Sequence, residues 1–299
     1  MTVSSWLWAV FTVCAAAGQT GRNAVQRQLT PVLGAAGATH VRFLFGVPFA
    51  ALFLAGFMAV VHEPPPHAGM DFWLWLLLGA STQIVATALM LMLMEERSFV
   101  VATAYIKVEP VFVAIFGLVF LNDLLSAGMM AAIAICMAGV LLLSIAPRGG
   151  LGSRRVATLG LASGGLFALG AIGFRGAILS LHASDFAMGA TFTLAAGLVV
   201  QAALLTVYLA LRSPAILRAL IAAWRPALLG GFLGALTSGF WFLAFALTSA
   251  ANVRTLGLID VVFAQGVSRF VFRHHTTPRE YLGIAILLAG AILLVVVHS

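Results

Sequence analysis

The sequence predicts an all-α integral membrane protein of ten transmembrane helices, arranged as two inverted five-helix repeats. Three observations lead to this prediction. Of the 299 residues, 62% are hydrophobic and only 8% are charged, and the mean hydropathy is +1.10. Soluble domains carry roughly 25% charged residues, so this chain cannot cover a globular surface. Long apolar segments recur between short breaks, and parts of the chain match each other at a fixed offset.

The ten helices are placed by length and hydropathy, because a spanning helix needs about 20 mostly apolar residues. The breaks between them are rich in turn-forming and charged residues, as in HEPPPHAG and APRGGLGSRR. The predicted helices are 4–27, 35–61, 71–94, 98–120, 126–146, 157–180, 185–211, 226–248, 252–272 and 279–298. We expect residues 1–148 to form the first repeat and residues 149–299 the second, together making one membrane domain.

An internal repeat at an offset of 151 residues supports the division into two halves. Residues 128–143 align with residues 279–294. The same offset places Glu109 opposite Asp260, and these are the only acidic residues deep within the predicted spans. Because each half has an odd number of helices, the halves are expected to lie in the membrane with opposite orientation. Inverted repeats are typical of transporters with a midplane substrate site.

Basic residues concentrate in the odd-numbered loops, which gives a topology. The positive-inside rule puts these loops in the cytoplasm and both termini outside. The residues are Arg27, Arg97, Arg148, Arg154, Arg155, Arg212, Arg218, Arg225, Arg273 and Arg279. The net charge of +7 therefore reflects topology rather than binding to nucleic acid. We expect a multi-pass protein of the bacterial inner (plasma) membrane.

The stretch VEPVFVAIFGLVFLNDLLSAGMMAAIAICMAGVLLLS resembles the drug/metabolite transporter (DMT) superfamily, in its ten-helix EamA-type family. The resemblance is carried by an acidic-Pro pair, an acidic turn, a glycine followed by aliphatic residues, and an arginine heading the second helix: Glu109-Pro110, Asn122-Asp123, Gly139 to Leu142, and Arg42. The second half departs from this pattern, with RHHTT at 273–277 in place of the acidic turn. The resemblance implies a transporter rather than an enzyme. Substrates across the family include amino acids, nucleosides, polyamine-like cations and drugs.

Lys107, Glu109 and Asp260 are the charges that most need an explanation, because an ion at the bilayer centre costs at least ~2.5–3.5 kcal/mol. One interpretation is structural: the two carboxylates pair with Lys107, Arg22 or Arg254 and hold the bundle together. The other is functional: at least one of the charges lines a cavity and binds substrate or a coupling proton. Glu109 and Asp260 are the proton-coupling candidates, with Glu109 the first choice.

Within the predicted spans, basic side chains outnumber acidic ones, which favours a substrate that carries a carboxylate. The basic residues are Arg22, Lys107, Arg175 and Arg254, against Glu109 and Asp260. Polar and aromatic neighbours complete the set of candidate substrate-binding residues, which is Gln19, Arg22, Asn23, Gln83, Tyr105, Lys107, Trp241, Arg254 and Gln265.

The sequence therefore predicts a secondary active transporter that exports a small metabolite, such as an amino acid, by alternating access, with protons as the candidate coupling ion. The alternative is a broad-specificity multidrug or organic-cation exporter, in which Met90, Met92 and Met94 give an adaptable apolar pocket. No cofactor or metal is expected, since the three prolines of HEPPPH prevent a helical pair of His ligands. A monomer is sufficient for one translocation path, and a dimer is compatible with it.

Overall fold

Every regular element that the structure describes is a helix. The computed structural model describes residues 5–62, 64–96, 106–144, 154–270 and 278–298, and no strand occurs within these ranges. In this part of the chain, six helical segments are long and apolar enough to cross a membrane, and two shorter apolar helices accompany them. The prediction of an all-α membrane protein is confirmed.

The described helices fall in all ten predicted segments, although the fourth is described only from Ile106 onwards. A short amphipathic helix, α8, was not predicted and lies within the seventh loop. In chain order the helices are α1 (Leu7–Leu44), α2 (Val47–Val61), α3 (Met70–Glu96), α4 (Glu109–Leu121), α5 (Ala127–Ser144), α6 (Arg154–Ser180), α7 (Phe186–Arg212), α8 (Pro214–Ala222), α9 (Trp224–Leu247), α10 (Ala250–Leu256), a 3₁₀ turn (Gly257–Ile259), α11 (Asp260–Phe270) and α12 (Pro278–His298).

The loop predicted between the first two helices is instead part of α1. The helix continues to Leu44 and is interrupted at Gly34, whose φ of 67° and ψ of 169° are open mainly to glycine. Pro31 lies one turn earlier and cannot donate a backbone hydrogen bond. The side chain of Gln26 bridges the interruption, because its Nε2 donates to the carbonyl oxygen of Ala38 at 3.2 Å. A Cβ added at Gly230 would meet both Val25 and Val41, so the chain turns back at Gly34 and the first two predicted segments pack side by side. They are joined by this tight break rather than by a loop.

The fourth and ninth segments are interrupted at their centres, whereas the sequence predicted continuous helices. In the fourth, residues 107 and 108 form a turn and α4 begins at Glu109. In the ninth, the 3₁₀ turn Gly257–Ile259 separates α10 from α11, which begins at Asp260. Both acidic residues therefore lie in the first turn of a helix, where the helix dipole favours negative charge.

Three helix pairs make the most extensive contacts: α3 with α6, α1 with α9, and α5 with α12. Glycines allow the backbones of α5 and α12 to touch. A Cβ added at Gly139 would lie 2.6 Å from the nitrogen of Leu287, and one at Gly290 would lie 2.8 Å from the nitrogen of Cys136. Small residues that permit such close approach are the usual basis of helix association in membranes.

We predict that Gly139→Ala destabilises the protein by about 1–3 kcal/mol, because the new methyl group meets backbone rather than a movable side chain. Gly56→Ala is the matched control, since nothing lies within 4 Å of a Cβ at Gly56 and alanine is the better helix former. Thermal unfolding in detergent should show a lower melting temperature for Gly139→Ala and no loss for Gly56→Ala. Equal melting temperatures for the two variants would contradict the packing described here.

Candidate substrate site

Lys107 and Asp260 form an ion pair that joins the two halves of the chain. The Lys107 ammonium contacts both carboxylate oxygens of Asp260. Gln19 of α1 adds a hydrogen bond from its Nε2 to Asp260 Oδ2 at 3.0 Å. The turn at 107–108 brings the lysine to this position, and the start of α11 brings the aspartate. Three segments distant in sequence therefore converge on one carboxylate.

Glu109 and Arg254 form a second ion pair between the halves. Arg254 Nε lies 3.0 Å from Glu109 Oε1, although the two groups are not aligned as a hydrogen bond. The Arg254 guanidinium also lies over the ring of Trp241, 4.5 Å from its centroid. Gly257 leaves room for that ring, because a Cβ at this position would come within 2.5 Å of it. The aromatic face and the carboxylate together fix the orientation of Arg254.

Arg22 is buried without an acidic partner. Its side chain is 4% exposed and donates to Asn23 Oδ1 at 3.1 Å and to Gln19 Oε1 at 3.3 Å. Among the described residues, no carboxylate forms a salt bridge with it. Amide oxygens carry only partial charge, so they offset a buried guanidinium incompletely. Arg22 is thus the cation of this cluster that lacks a counter-ion.

A small cavity lies among these side chains. Its lining residues are Gln19, Lys107, Glu109, Pro110, Trp241, Arg254, Gly257 and Leu258. The space for water-sized molecules is about 10 Å³, close to what one water requires. Three buried polar atoms at the lining have no hydrogen-bond partner, namely Glu109 Oε1, Trp241 Nε1 and Arg254 Nε. Glu109 Oε1 and Arg254 Nε belong to one ion pair, which leaves Trp241 Nε1 as the atom of these three with neither a hydrogen bond nor an ionic partner.

Comparison with known proteins supports the family recognised from the sequence. Residues 4–145, just under half of the chain, match the model of the EamA-like transporter family. This family lies within the DMT superfamily, so the recognition made from the sequence is confirmed. Its members are transporters and not enzymes. The protein is therefore a multi-pass membrane transporter of the DMT type.

A solved structure is similar in fold to nearly the whole chain. A chain described only as the crystal structure of a protein superposes on the transporter with a TM-score of 0.68 and 14% sequence identity. The superposition covers 98% of this chain and 96% of the other. No curated protein matches the sequence.

The structure brings seven of the eleven candidate residues of the transporter into the charged cluster, and these are Gln19, Arg22, Lys107, Glu109, Trp241, Arg254 and Asp260. Asn23 belongs to it indirectly, as a partner of Arg22. Gln83 pairs instead with Gln201 of α7, whose Nε2 donates to Gln83 Oε1 at 2.9 Å. Gln265 is partly buried on α11 and does not line the cavity. Tyr105 lies outside the described residues.

The methionines of α3 do not line this cavity either. Met90 and Met94 are buried in the core, whereas Met92 faces outward and is 38% exposed. The apolar pocket that motivated the multidrug alternative is therefore not found at the described cavity.

A third ion pair between the halves was not predicted. Arg175 Nη2 lies 3.3 Å from Asp123 Oδ1. Arg175 Nη1 also donates to the backbone carbonyls of Phe245, at 2.6 Å, and of Thr248. The signal was present in the sequence, since Arg175 lies far inside an apolar segment and Asp123 follows another. Hydropathy alone does not say which two of several buried charges will meet.

We predict that Lys107→Met costs about 3–5 kcal/mol, because it leaves Asp260 charged and buried without a cation. The double variant Lys107→Met/Asp260→Asn should recover much of this loss, since it removes both charges. Thermal unfolding of the two single variants and the double variant, in one detergent, gives the coupling energy. A double variant as unstable as the sum of the singles would show that the pair does not interact in the folded protein.

Proposed function

We propose that the protein is a secondary active transporter that exports a small carboxylate-bearing metabolite, such as an amino acid, by alternating access. The observation that carries the proposal is the charge balance of the cluster around the cavity. The cluster holds three bases and two carboxylates. Asp260 is paired with Lys107 and Glu109 with Arg254, so Arg22 is the base left over. A substrate carboxylate supplies the missing counter-ion for Arg22.

The same cluster can bind a zwitterion, which carries one positive and one negative group. Lys107, Glu109 and Arg254 all line the cavity, so it presents charges of both signs. An entering carboxylate competes with Glu109 for Arg254 or reaches Arg22 beside Gln19, and the ammonium group of an amino acid finds Glu109. The ring of Trp241 offers an apolar surface for the substrate side chain. Each exchange replaces one charged partner by another, so no buried charge is left bare during binding.

Contacts between α5 and α12 support the inverted repeat. A Cβ at Gly139 would meet Gly283 and Leu287, and one at Gly290 would meet Ala132 and Cys136. These residues pair at the offset of 151 positions: Ala132 with Gly283, Cys136 with Leu287, and Gly139 with Gly290. The residues of α5 and α12 that contact each other therefore occupy equivalent positions in the two halves. A two-fold axis between the helices requires this.

The interrupted segments follow the same offset. Glu109 and Asp260 are 151 residues apart, and each is the first residue of a helix that follows a central break. Discontinuous helices near the membrane midplane form the substrate sites of many secondary transporters. We therefore assign the two breaks to a pseudo-symmetric substrate site between residues 1–148 and residues 149–299.

The small cavity and the placement of the ion pairs support alternating access. About 10 Å³ cannot hold a metabolite, so the walls must part before one binds. Lys107–Asp260, Glu109–Arg254 and Asp123–Arg175 each join one half of the chain to the other. When the halves separate, these pairs open and their charges become available to substrate or water. One chain supplies the complete site, so a monomer suffices.

We keep the orientation that the positive-inside rule gives, with the odd-numbered loops in the cytoplasm. The protein is placed in the bacterial inner membrane. The seventh loop supports it: Arg212, Arg218 and Arg225 are exposed around α8, together with exposed Trp224 and Ile221. Arginine and tryptophan side by side are typical of the membrane–water interface on the cytoplasmic side.

We predict that amino acids or other carboxylates raise the melting temperature of the detergent-purified protein. A ligand at 100 times its dissociation constant stabilises by ~2.7 kcal/mol. Arg22→Gln should abolish the shift because it removes the cation without a counter-ion, whereas Arg218→Gln, at an exposed position, should retain it. A panel in which only lipophilic cations stabilise the protein would overturn the proposed substrate class in favour of multidrug export.

We predict that Glu109→Gln removes the dependence of transport on a pH gradient, because glutamine keeps the shape of the side chain but cannot carry a proton. Uptake into proteoliposomes, with and without an imposed gradient, measures this. Asp185→Asn is the control, since Asp185 caps α7 by accepting hydrogen bonds from Ala187 and Met188 and lies away from the cluster. Gradient-driven transport that survives Glu109→Gln unchanged would exclude Glu109 as the proton carrier.

A further inference from the structure

Arg42 is a second buried arginine without an acidic partner. It lies near the end of α1 and is 2% exposed. Its Nη2 donates to Ser238 Oγ at 2.9 Å, and its Nε has no hydrogen-bond partner. Among the described residues no carboxylate forms a salt bridge with it, and the neighbouring hydroxyl of Thr237 is also buried and unpartnered. An uncompensated buried charge of this kind is strongly unfavourable.

Arg42 lies next to the charged cluster along α9. Ser238, its partner, and Trp241, which lies under Arg254, are three residues apart and share one face of that helix. The step between them is ~4.5 Å along the helix axis. A Cβ added at Gly230 of α9 would meet both Val25 and Val41, so the parts of α1 that carry Arg22 and Arg42 both lie against α9. Arg22, Arg42 and Arg254 therefore lie in one region of the interior.

Charge pairing within the described interior leaves a surplus of two. Each described carboxylate of this region is paired with a base in one of three salt bridges: Lys107–Asp260, Glu109–Arg254 and Asp123–Arg175. Arg22 and Arg42 remain, held only by neutral side chains. A monocarboxylate would offset one of them and leave the other bare.

We propose that the substrate carries two anionic groups, as a dicarboxylate or an acidic amino acid does, and that Arg42 and Ser238 bind the second group. A guanidinium presents paired donors that match a carboxylate. The Ser238 oxygen accepts from Arg42, so its own hydrogen remains to donate to the substrate. This inference rests on the proposed function, in which Arg22 binds the first carboxylate.

Glutamate and glutamine provide the sharpest test, because they differ in one charged group and hardly in shape. We expect glutamate to bind the purified wild-type protein about tenfold more tightly than glutamine, as measured by thermal-shift titration. Arg42→Gln should reduce this ratio to about one, because glutamate loses the charge partner that distinguishes it from glutamine. Succinate should lose its affinity in the same variant. Arg225→Gln, which removes an exposed arginine, should keep the wild-type ratio.

The outcomes separate this inference from the proposed function. Equal affinities of the wild type for glutamate and glutamine, or a glutamate preference that survives Arg42→Gln, would overturn the second anionic position and leave the carboxylate transporter standing. No stabilisation by any carboxylate would overturn both. If Arg42→Gln does not fold, Ser238→Ala removes only the hydroxyl and should lower the preference for glutamate. An unchanged preference in Ser238→Ala would contradict the assignment.

Discussion

Charges inside a low-dielectric helix bundle need counter-ions close by, and in this transporter those counter-ions come from the other half of the chain. Lys107 meets Asp260, Glu109 meets Arg254, and Asp123 meets Arg175. Breaking any of these pairs without a replacement leaves a bare ion in the interior. Under the proposed alternating-access mechanism, these pairs link the energy of the closed bundle to what occupies the cavity.

Under the proposed function, the same constraint selects the substrate. Helix packing at Gly139 and Gly290 fixes how closely α5 and α12 approach, but it carries no chemical preference. The proposed preference for an anionic substrate comes from Arg22 and Arg42, which are buried without a carboxylate partner among the described residues. A ligand that brings negative charge stabilises the bundle, whereas a purely cationic ligand adds to an existing surplus. Substrate class and fold stability are thus two consequences of one charge balance.

Much of the architecture could be predicted from the sequence, because hydropathy reports directly which segments are apolar and long enough to span a membrane. The breaks at 107–108 and Gly257–Ile259 could not, since hydropathy does not report backbone continuity. Glu109 and Asp260 were recognised through their shared offset of 151 residues. Their partners remained open among Lys107, Arg22 and Arg254, because which long side chain reaches a carboxylate depends on how the helices cross. The pairing of Gln83 with Gln201 was missed for the same reason.

A structure of the protein bound to the carboxylate that stabilises it most would test the central claim most directly. The account predicts a widened cavity between residues 1–148 and 149–299, with the ligand carboxylate in contact with Arg22 or Arg254. It also predicts that at least one of the pairs Lys107–Asp260 and Glu109–Arg254 is opened by the ligand. A ligand bound elsewhere in the bundle, with both pairs intact, would contradict the account.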